Sequence, residues 1–393
     1  MLGKLSNFSG PLTSFILQNN NLYGLMLYLD AGLTASYLGT GSYWFDISGK
    51  NNTFNLINSP IFQNNSLYFN SSYSQYASGN DIGTLNTFTI DTWFNLNSLP
   101  STNLNPQIVT NVYTETTINY TIGFLDNTNI NGQAWDTKMY GGFFSSNWYY
   151  TGGFTLSLNY WYNVTLTYDT QNLNLYLNGY TYSTLSCNTP AISSGSGIYI
   201  GRRWDYAEYI DGYIPIVRIY DKVLSQTEIL NNFNSINTRY SNGQVSRYFR
   251  LIITAAAGGS SPDSNCTQMS DFVLMYEGNI LNWNIGATIS NPDGVWNSSE
   301  GPSNLLDNNP TTKWCDQNFV NNGYLTTLYI DNIIPISFDS YYYNTANDFS
   351  SRDPVSWTLS ISNDNSTWTV VDTQTNVEIT TYRETATQIF LIN

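Results

Sequence analysis

Apolar side chains recur at every second position along most of this chain. In Thr87–Leu96, Phe88, Ile90 and Phe94 form one face and Thr89, Asp91 and Trp93 the other. Val164, Leu166 and Tyr168 repeat the pattern. Leu173, Leu175 and Leu177 then alternate with Asn172, Asn174 and Tyr176 before an Asn178-Gly179 turn. A period of two is the signature of strands that show one face to a core. Further strands are predicted at Leu25–Asp30, Ile198–Ile200 and Tyr248–Ile253. Another carries Ile214, Ile216 and Arg218 on one face and Pro215, Val217 and Ile219 on the other. One short helix breaks the pattern. Ser225-Gln226-Thr227-Glu228 is a capping box: the Ser225 hydroxyl accepts from the Glu228 amide, and the Glu228 carboxylate from the Ser225 amide. Leu224 and Ile229 stand where a hydrophobic staple places them.

Residues 1–21 are polar and read as an N-terminal arm. Between Pro100 and Phe154 the signal weakens into short aromatic strands and turns. Over Asn234–Ser246 no period survives. The expected organisation is a β-sandwich over 22–236, a linker over 237–246 and a second β-sandwich over 247–393. A chain of 393 residues is long enough for two cores. The fold class is all-β: two tandem sandwiches, each of two antiparallel sheets with one wet face, and one capped helix closing the first.

Charge narrows the function. Charged residues are 10% of the chain and the net charge is −15. Nucleic-acid phosphates are excluded as a ligand, because that affinity comes from Lys and Arg. No apolar run approaches the ~18 residues of a membrane span, so no membrane insertion is expected. The first residues show neither the apolar core nor the cleavage pattern of a signal peptide. The absence of histidine removes Ser-His-Asp and Cys-His triads and histidine metal sites. Of the cysteines, Cys187, Cys266 and Cys315, free buried thiols are the expectation and a Cys266–Cys315 bridge the alternative. Glycosylation sequons, such as those at Asn119 and Asn163, are expected by chance in a chain so rich in Asn, Ser and Thr.

Two stretches carry resemblances. LYLDAG, SYLGTGSYWFDISGKNN, W-x-x-V-x-L-T-Y-D, L-x-L-Y-x-N-G and D-G-Y-I-x-x-V-R-I-Y-D-K-x-L-S-x-x-E-I are similar to the laminin-G-like (concanavalin-A-like) jelly-roll domains. The opening resembles virion proteins of large DNA viruses and marine phages. Where that family often has two acidic residues after D-G-Y-I, this chain has Pro215 and Ile216, which implies a covered strand and an assembly contact there. From Tyr248 on, Asn304–Trp314, Arg352–Trp357 and Ser362–Trp368 resemble the discoidin (coagulation-factor type-C) domain. Asn308 and Asn309 replace that family's Gly and second Asp, and Asn365 replaces a Gly. The strands usually late in the domain come first, with Asp271 in place of a Glu.

The resemblances suggest sites. Ca²⁺ takes oxygen ligands. Asp307, Asn309 and Thr312 lie within six residues, and Asp271 could complete a structural Ca²⁺ site from a neighbouring strand. An Asx-turn that satisfies itself is the alternative. Asp46, Asn51 and Asp211 are a second metal candidate, for which self-satisfied turns are the expectation. Sugar-binding candidates, with an aromatic face beneath a sugar ring and polar groups for its hydroxyls, are Arg202, Arg203, Trp204 and Tyr206 in one loop, and Trp283, Trp296 and Arg352 in the second half. For any one of these, core packing or loop closure is the alternative. The paired-carboxylate pattern of jelly-roll glucanases, E-x-D-x-x-E, does not occur, so no catalytic residues are expected.

The expected function is a non-enzymatic structural or adhesion protein on a virion surface, as capsid decoration or fibre. Its partners would be host glycans and other virion or capsid proteins, or further copies of itself. The alternatives are a glycan-degrading enzyme on the same jelly roll and a cellular cell-surface lectin.

Overall fold

The structure is a computed structural model. It describes residues 23–392 except 102–103, 115–116, 125–128, 131–132, 135–137, 146, 190–194, 204–207, 241–242, 260–264 and 285. The expected N-terminal arm lies outside the described residues. The chain divides into two compact units between Tyr240 and Ser241.

The first unit stacks two eight-stranded antiparallel sheets. One contains β1 (Leu25–Asp30), β2 (Phe88–Leu96), β3 (Tyr162–Tyr168), β4 (Asn172–Leu177) and β5 (Gly212–Tyr220). Across it the order is β4, β3, β2, β5, with β1 also paired to β5. The other sheet contains Gln107–Thr114, Thr117–Phe124, Met139–Ser145 and Gly197–Ile200. The predicted apolar faces meet between the sheets. The Phe88 ring lies 5.7 Å from Tyr120 and 6.4 Å from Phe143, and Phe143 lies 4.6 Å from Tyr168. A Cβ on Gly141 would come within 2.5 Å of Leu166, so close packing of the sheets requires glycine there.

At the centre of the first sheet the outer face is dry, contrary to the expected wet face, while the outer positions of β4 stay half-buried. All nine residues of β2 are buried. The cover is α1, Gln226–Tyr240, the single α-helix among the described residues. Its capping box forms as the sequence predicts. The Ser225 amide donates to Glu228 Oε2 at 2.7 Å, and the Glu228 amide donates to Ser225 Oγ at 3.3 Å. The helix then continues through residues expected to be linker. Ile229, Asn232, Phe233, Ile236 and Tyr240 are buried at a helical period. Phe233 stacks on Trp93 with centroids 5.4 Å apart and planes 1° from parallel.

Beneath the helix lies a buried chain of charges. Asp91 accepts from Arg218 Nη1 at 3.0 Å, from Asn163 Nδ2 at 2.7 Å and from Thr165 Oγ1 at 2.9 Å. The Arg218 guanidinium lies 4.9 Å from the Tyr28 ring. The Tyr28 hydroxyl donates to Asp30 Oδ2 at 3.2 Å, and Arg239 of α1 donates to Asp30 Oδ1 at 2.6 Å. Strand pairing aligns these groups: Arg218 stands between Asp91 of β2 and Tyr28 of β1. Burial works against the Arg218 charge, yet Tyr28 and Asp91 hold its pKa above the ordinary arginine value.

This arrangement corrects the reading of Pro215 and Ile216. The strand is covered, but by the chain's own β1 and α1. Pro215 sits where the pairing of β5 with β2 shifts register between Tyr213 and Ile216, a place that tolerates a residue without an N–H. Its carbonyl accepts from the Ala31 amide at 2.8 Å. Ile216 pairs with Asp30 and Trp93 and is 0% exposed, so it offers no contact to a partner.

The second unit contains β6 (Gln244–Ala256), β7 (Thr267–Met269), β8 (Trp314–Asp316), β9 (Thr326–Phe338) and β10 (Pro354–Ser362). A five-stranded sheet runs Thr288–Ser290, β9, β6, β10, Thr369–Gln374. Strand β6, first in the sequence, takes its centre. A four-stranded sheet holds Phe272–Tyr276 and Ser340–Tyr343, and β7 pairs with β8 separately. Asn308 and Asn365, which replace glycines of the discoidin pattern, adopt φ of 55° each. Asn is the side chain best able to take that left-handed conformation.

Two outcomes follow for the first unit. Asp91→Ala leaves Arg218 buried without its carboxylate and is expected to cost about 3–5 kcal/mol, measured by urea unfolding; a loss below about 1 kcal/mol would mean the helix is held by its apolar face alone. Glu228 gives a pH test. Burial alone would raise its pKa, but Lys222 and the Ser225 amide and hydroxyl outweigh it and hold the carboxyl below its usual value. A depressed folded pKa stabilises above the unfolded pKa and is lost as pH falls. Glu228→Ala is therefore expected to cost up to about 1 kcal/mol near neutrality and progressively less toward pH ~3. A pH-independent difference would contradict it.

Candidate functional site

The loop candidates of the first unit are engaged by their own fold. Arg202 lies over three tyrosines, 4.7 Å from Tyr76, 5.1 Å from Tyr199 and 5.8 Å from Tyr209. Its Nε donates to the Arg203 carbonyl at 2.7 Å. Arg203 pairs with Glu208 at 3.3 Å and also bonds Asn105. Trp204 and Tyr206 lie outside the described residues. Asp46 accepts from the amides of Tyr28, Ser48 and Asn52 and from the Ser48 hydroxyl. Asp211 accepts from Tyr68 and Ser98. Asp46 and Asp211 share no hydrogen-bond partner among the described residues. Asn51 takes a positive φ of 64°, as a turn residue does.

In the second unit the two tryptophans part company. Trp283 is 6% exposed and packs against Phe249 and Phe272 at 5.9 and 6.2 Å. It belongs to the core, which removes it as a sugar platform. Trp296 is 37% exposed and remains on the surface. The Arg352 guanidinium lies 4.2 Å over the Phe349 ring. It does not close the loop with Asp353, whose partner is Arg383.

The Asp307 loop forms Asx-turn bonds. Asp307 accepts from the Asn309 amide at 3.0 Å and the Thr312 hydroxyl at 2.7 Å, and Asn309 accepts from the Thr311 hydroxyl at 2.8 Å. Asp271 faces this loop. Its Oδ2 accepts from Asn344 at 2.9 Å, while its Oδ1 is buried with no hydrogen-bond partner. Burial, helped by the nearby Asp307 charge, raises the Asp271 pKa against the opposing pull of the Asn344 side chain and the Asn309 backbone. Among the described residues no three His, Cys, Asp or Glu side chains gather, so any ion here would rest on two carboxylates with neutral oxygens.

A cleft of about 470 Å³ opens elsewhere in this unit. Ser350, Ser351, Asn376, Glu378 and Thr381 give it polar walls, and Val355, Val377 and Ile379 apolar ones. Arg383, which no local pattern singles out, holds the segments around it together. It donates to both oxygens of Asp353 at 2.9 and 2.6 Å, to the Asp348 carbonyl at 3.2 Å and to the Thr380 carbonyl at 3.1 Å. Asp353 is 1% exposed, so its charge depends on this pair. The Val377 amide donates to the Val355 carbonyl at 2.8 Å and the Asn376 amide to Ser356 Oγ at 2.9 Å, fixing the loop to β10. Glu378 and Asn376 stay exposed.

Residues 69–230 match the concanavalin A-like lectin/glucanases superfamily, and residues 286–391 match the F5/8 type C domain. No curated protein matches the chain in sequence. Among solved structures, the binding domain of Paraclostridial Mosquitocidal Protein 1 is 12% identical, over 94% of this chain and 91% of that one, with a TM-score of 0.44. Trypanosoma rangeli sialidase is 16% identical over 55% of this chain, with a TM-score of 0.40; the match spans about a third of that enzyme's length, 33%. Domain 4 of an extracellular arabinanase from Geobacillus stearothermophilus, solved with arabinotriose, is 15% identical over 53% of this chain and 97% of that one, with a TM-score of 0.38. The two family matches lie in tandem, the concanavalin A-like one over 69–230 and the F5/8 type C one over 286–391.

Proposed function

We propose that this is a non-enzymatic carbohydrate-binding adhesion protein, displayed on the surface of a virus particle, with the cleft of its second unit as a glycan seat. The observation that carries the reading is the pairing of a lectin-type domain with an F5/8 type C domain in one chain. The cleft has suitable chemistry. Ser350, Ser351, Asn376 and Thr381 offer hydrogen bonds to sugar hydroxyls, and Val355, Val377 and Ile379 offer apolar contact to sugar C–H faces.

Binding fits the cleft better than hydrolysis. Two-carboxylate glycosidases need a working pair. Here Asp353 is held by both of its oxygens to Arg383, and Glu378 stands exposed on the wall. Display on a particle rests on the resemblance of the opening stretch to virion proteins. Asp271, Asp307, Asn309 and Thr312 would hold a structural Ca²⁺, which would supply positive charge beside the unpartnered Asp271 Oδ1.

Three measurements test this. The full-length protein, on a glycan array, is expected to retain a defined set of glycans intact; no retention, or release of cleaved sugar, would contradict the reading. Asn376→Ala with Glu378→Ala is expected to weaken the best glycan about 10-fold or more, close to 1.4 kcal/mol, at an unchanged melting temperature; unchanged affinity would move the site elsewhere. Calcium is expected to raise the melting temperature of the wild type but not of Asp271→Asn. An equal rise in both, or none in either, would remove the ion from this loop.

A further inference from the structure

The mechanism proposed above uses none of the cysteines, yet two of them meet. Cys266 immediately precedes β7, and Cys315 is the middle residue of β8. The strands pair antiparallel with Gln268 opposite Cys315 and Thr267 opposite Asp316. Residues two apart share a face of a strand, so Cys266 lies on the face of Gln268, diagonal to Cys315. Both thiols are buried, at 2% and 3% exposure, and their sulfurs are 2.8 Å apart. Cys187 is also buried but belongs to the first unit.

We propose that Cys266 and Cys315 are a redox pair that closes into a disulfide stapling β7 to β8. The geometry needs only a short approach of the sulfurs, because the strand pairing has already set the backbones side by side. The bond would close a loop of 49 residues in sequence separation. That loop includes the core Trp283, Asp271 and the Asp307–Thr312 segment. Removing its freedom from the unfolded chain is what a disulfide does best.

The oxidant is a low-molecular-weight disulfide, of the kind found in oxidising compartments. One cysteine thiolate attacks a sulfur of that reagent, forming a mixed disulfide and releasing one small thiol. The second cysteine attacks the protein sulfur of the mixed disulfide and releases the other small thiol. One S–S bond breaks and one forms. The protein pair gives up two electrons, and its two protons end on the small thiols. Cys266 is suited to attack first. Its contact with Cys315, aided by the charges of Arg352 and Lys313, holds its thiol below the ordinary value; the same contact, and burial, push Cys315 up.

The test counts thiols. Full-length protein is held in glutathione disulfide, both as folded protein and while refolding from urea, then denatured without reductant and alkylated. The pretreated, fully reduced protein should take up label at all three cysteines. Oxidised protein is expected to take up label at Cys187 alone, to weigh two hydrogens less than the reduced form, and to yield a peptide joining Cys266 to Cys315. Cys315→Ser is expected to stop at one glutathione adduct on Cys266. Three labelled cysteines in both arms, a crosslink that includes Cys187, or glutathione on both Cys266 and Cys315 without a crosslink would overturn the proposal.

Discussion

The first unit depends on one buried ion pair, Arg218 with Asp91, and on the chain of groups that leads from it to the helix. A guanidinium between two sheet strands and a covering helix has lost its water, which costs several kcal/mol unless every donor is met. Here Asp91 meets it, Asn163 and Thr165 orient that carboxylate, and Tyr28 and Asp30 pass the polarity on to Arg239 of α1. The chain of groups meets the helix at Asp30, where Arg239 of α1 donates to its carboxylate. The stacked Trp93 and Phe233 rings supply apolar burial at the same interface. Without the helix, the polar outer face of β2 and β5 would be wet and these charges would have no reason to be arranged.

The second unit uses the same logic at smaller scale. Arg383 reaches a buried carboxylate and several backbone carbonyls from separate segments, and so turns loops into a wall. A binding site on loops needs such a brace, because loops have few ladder bonds of their own. The cleft stands on that brace, with Ser350, Asn376, Glu378 and Thr381 exposed along its walls.

Much of this was legible in the alternation of apolar residues. Phe88, Ile90 and Phe94 named the inner face of β2, and Ser225 with Glu228 named the start of α1. Pro215 and Ile216 signalled a cover on the outer face, but not that the chain's own helix supplies it. A period of two says which residues share a face, and cannot say whether a helix from elsewhere in the chain lies on it; Asp91 and Trp93 read as a wet face for that reason. The second half of α1 was hidden by weak helix formers such as Asn234 and Asn237, although Phe233, Ile236 and Tyr240 keep the helical spacing. Trp283 and Trp296 look alike in sequence, and only long-range packing sends one to the core and the other to the surface. Arg383 had no local signal, since its carboxylate partner Asp353 and the Asp348 carbonyl stand thirty or more residues away.

Hydrogen exchange with mass analysis would test whether the second unit seats a glycan without cleaving it. The full-length protein would be compared with and without a saturating glycan taken from the array, and the glycan recovered afterwards. Slowed exchange is expected to concentrate at residues 350–355 and 376–381, with the glycan recovered intact. Protection confined to other segments, or a shortened glycan, would contradict it.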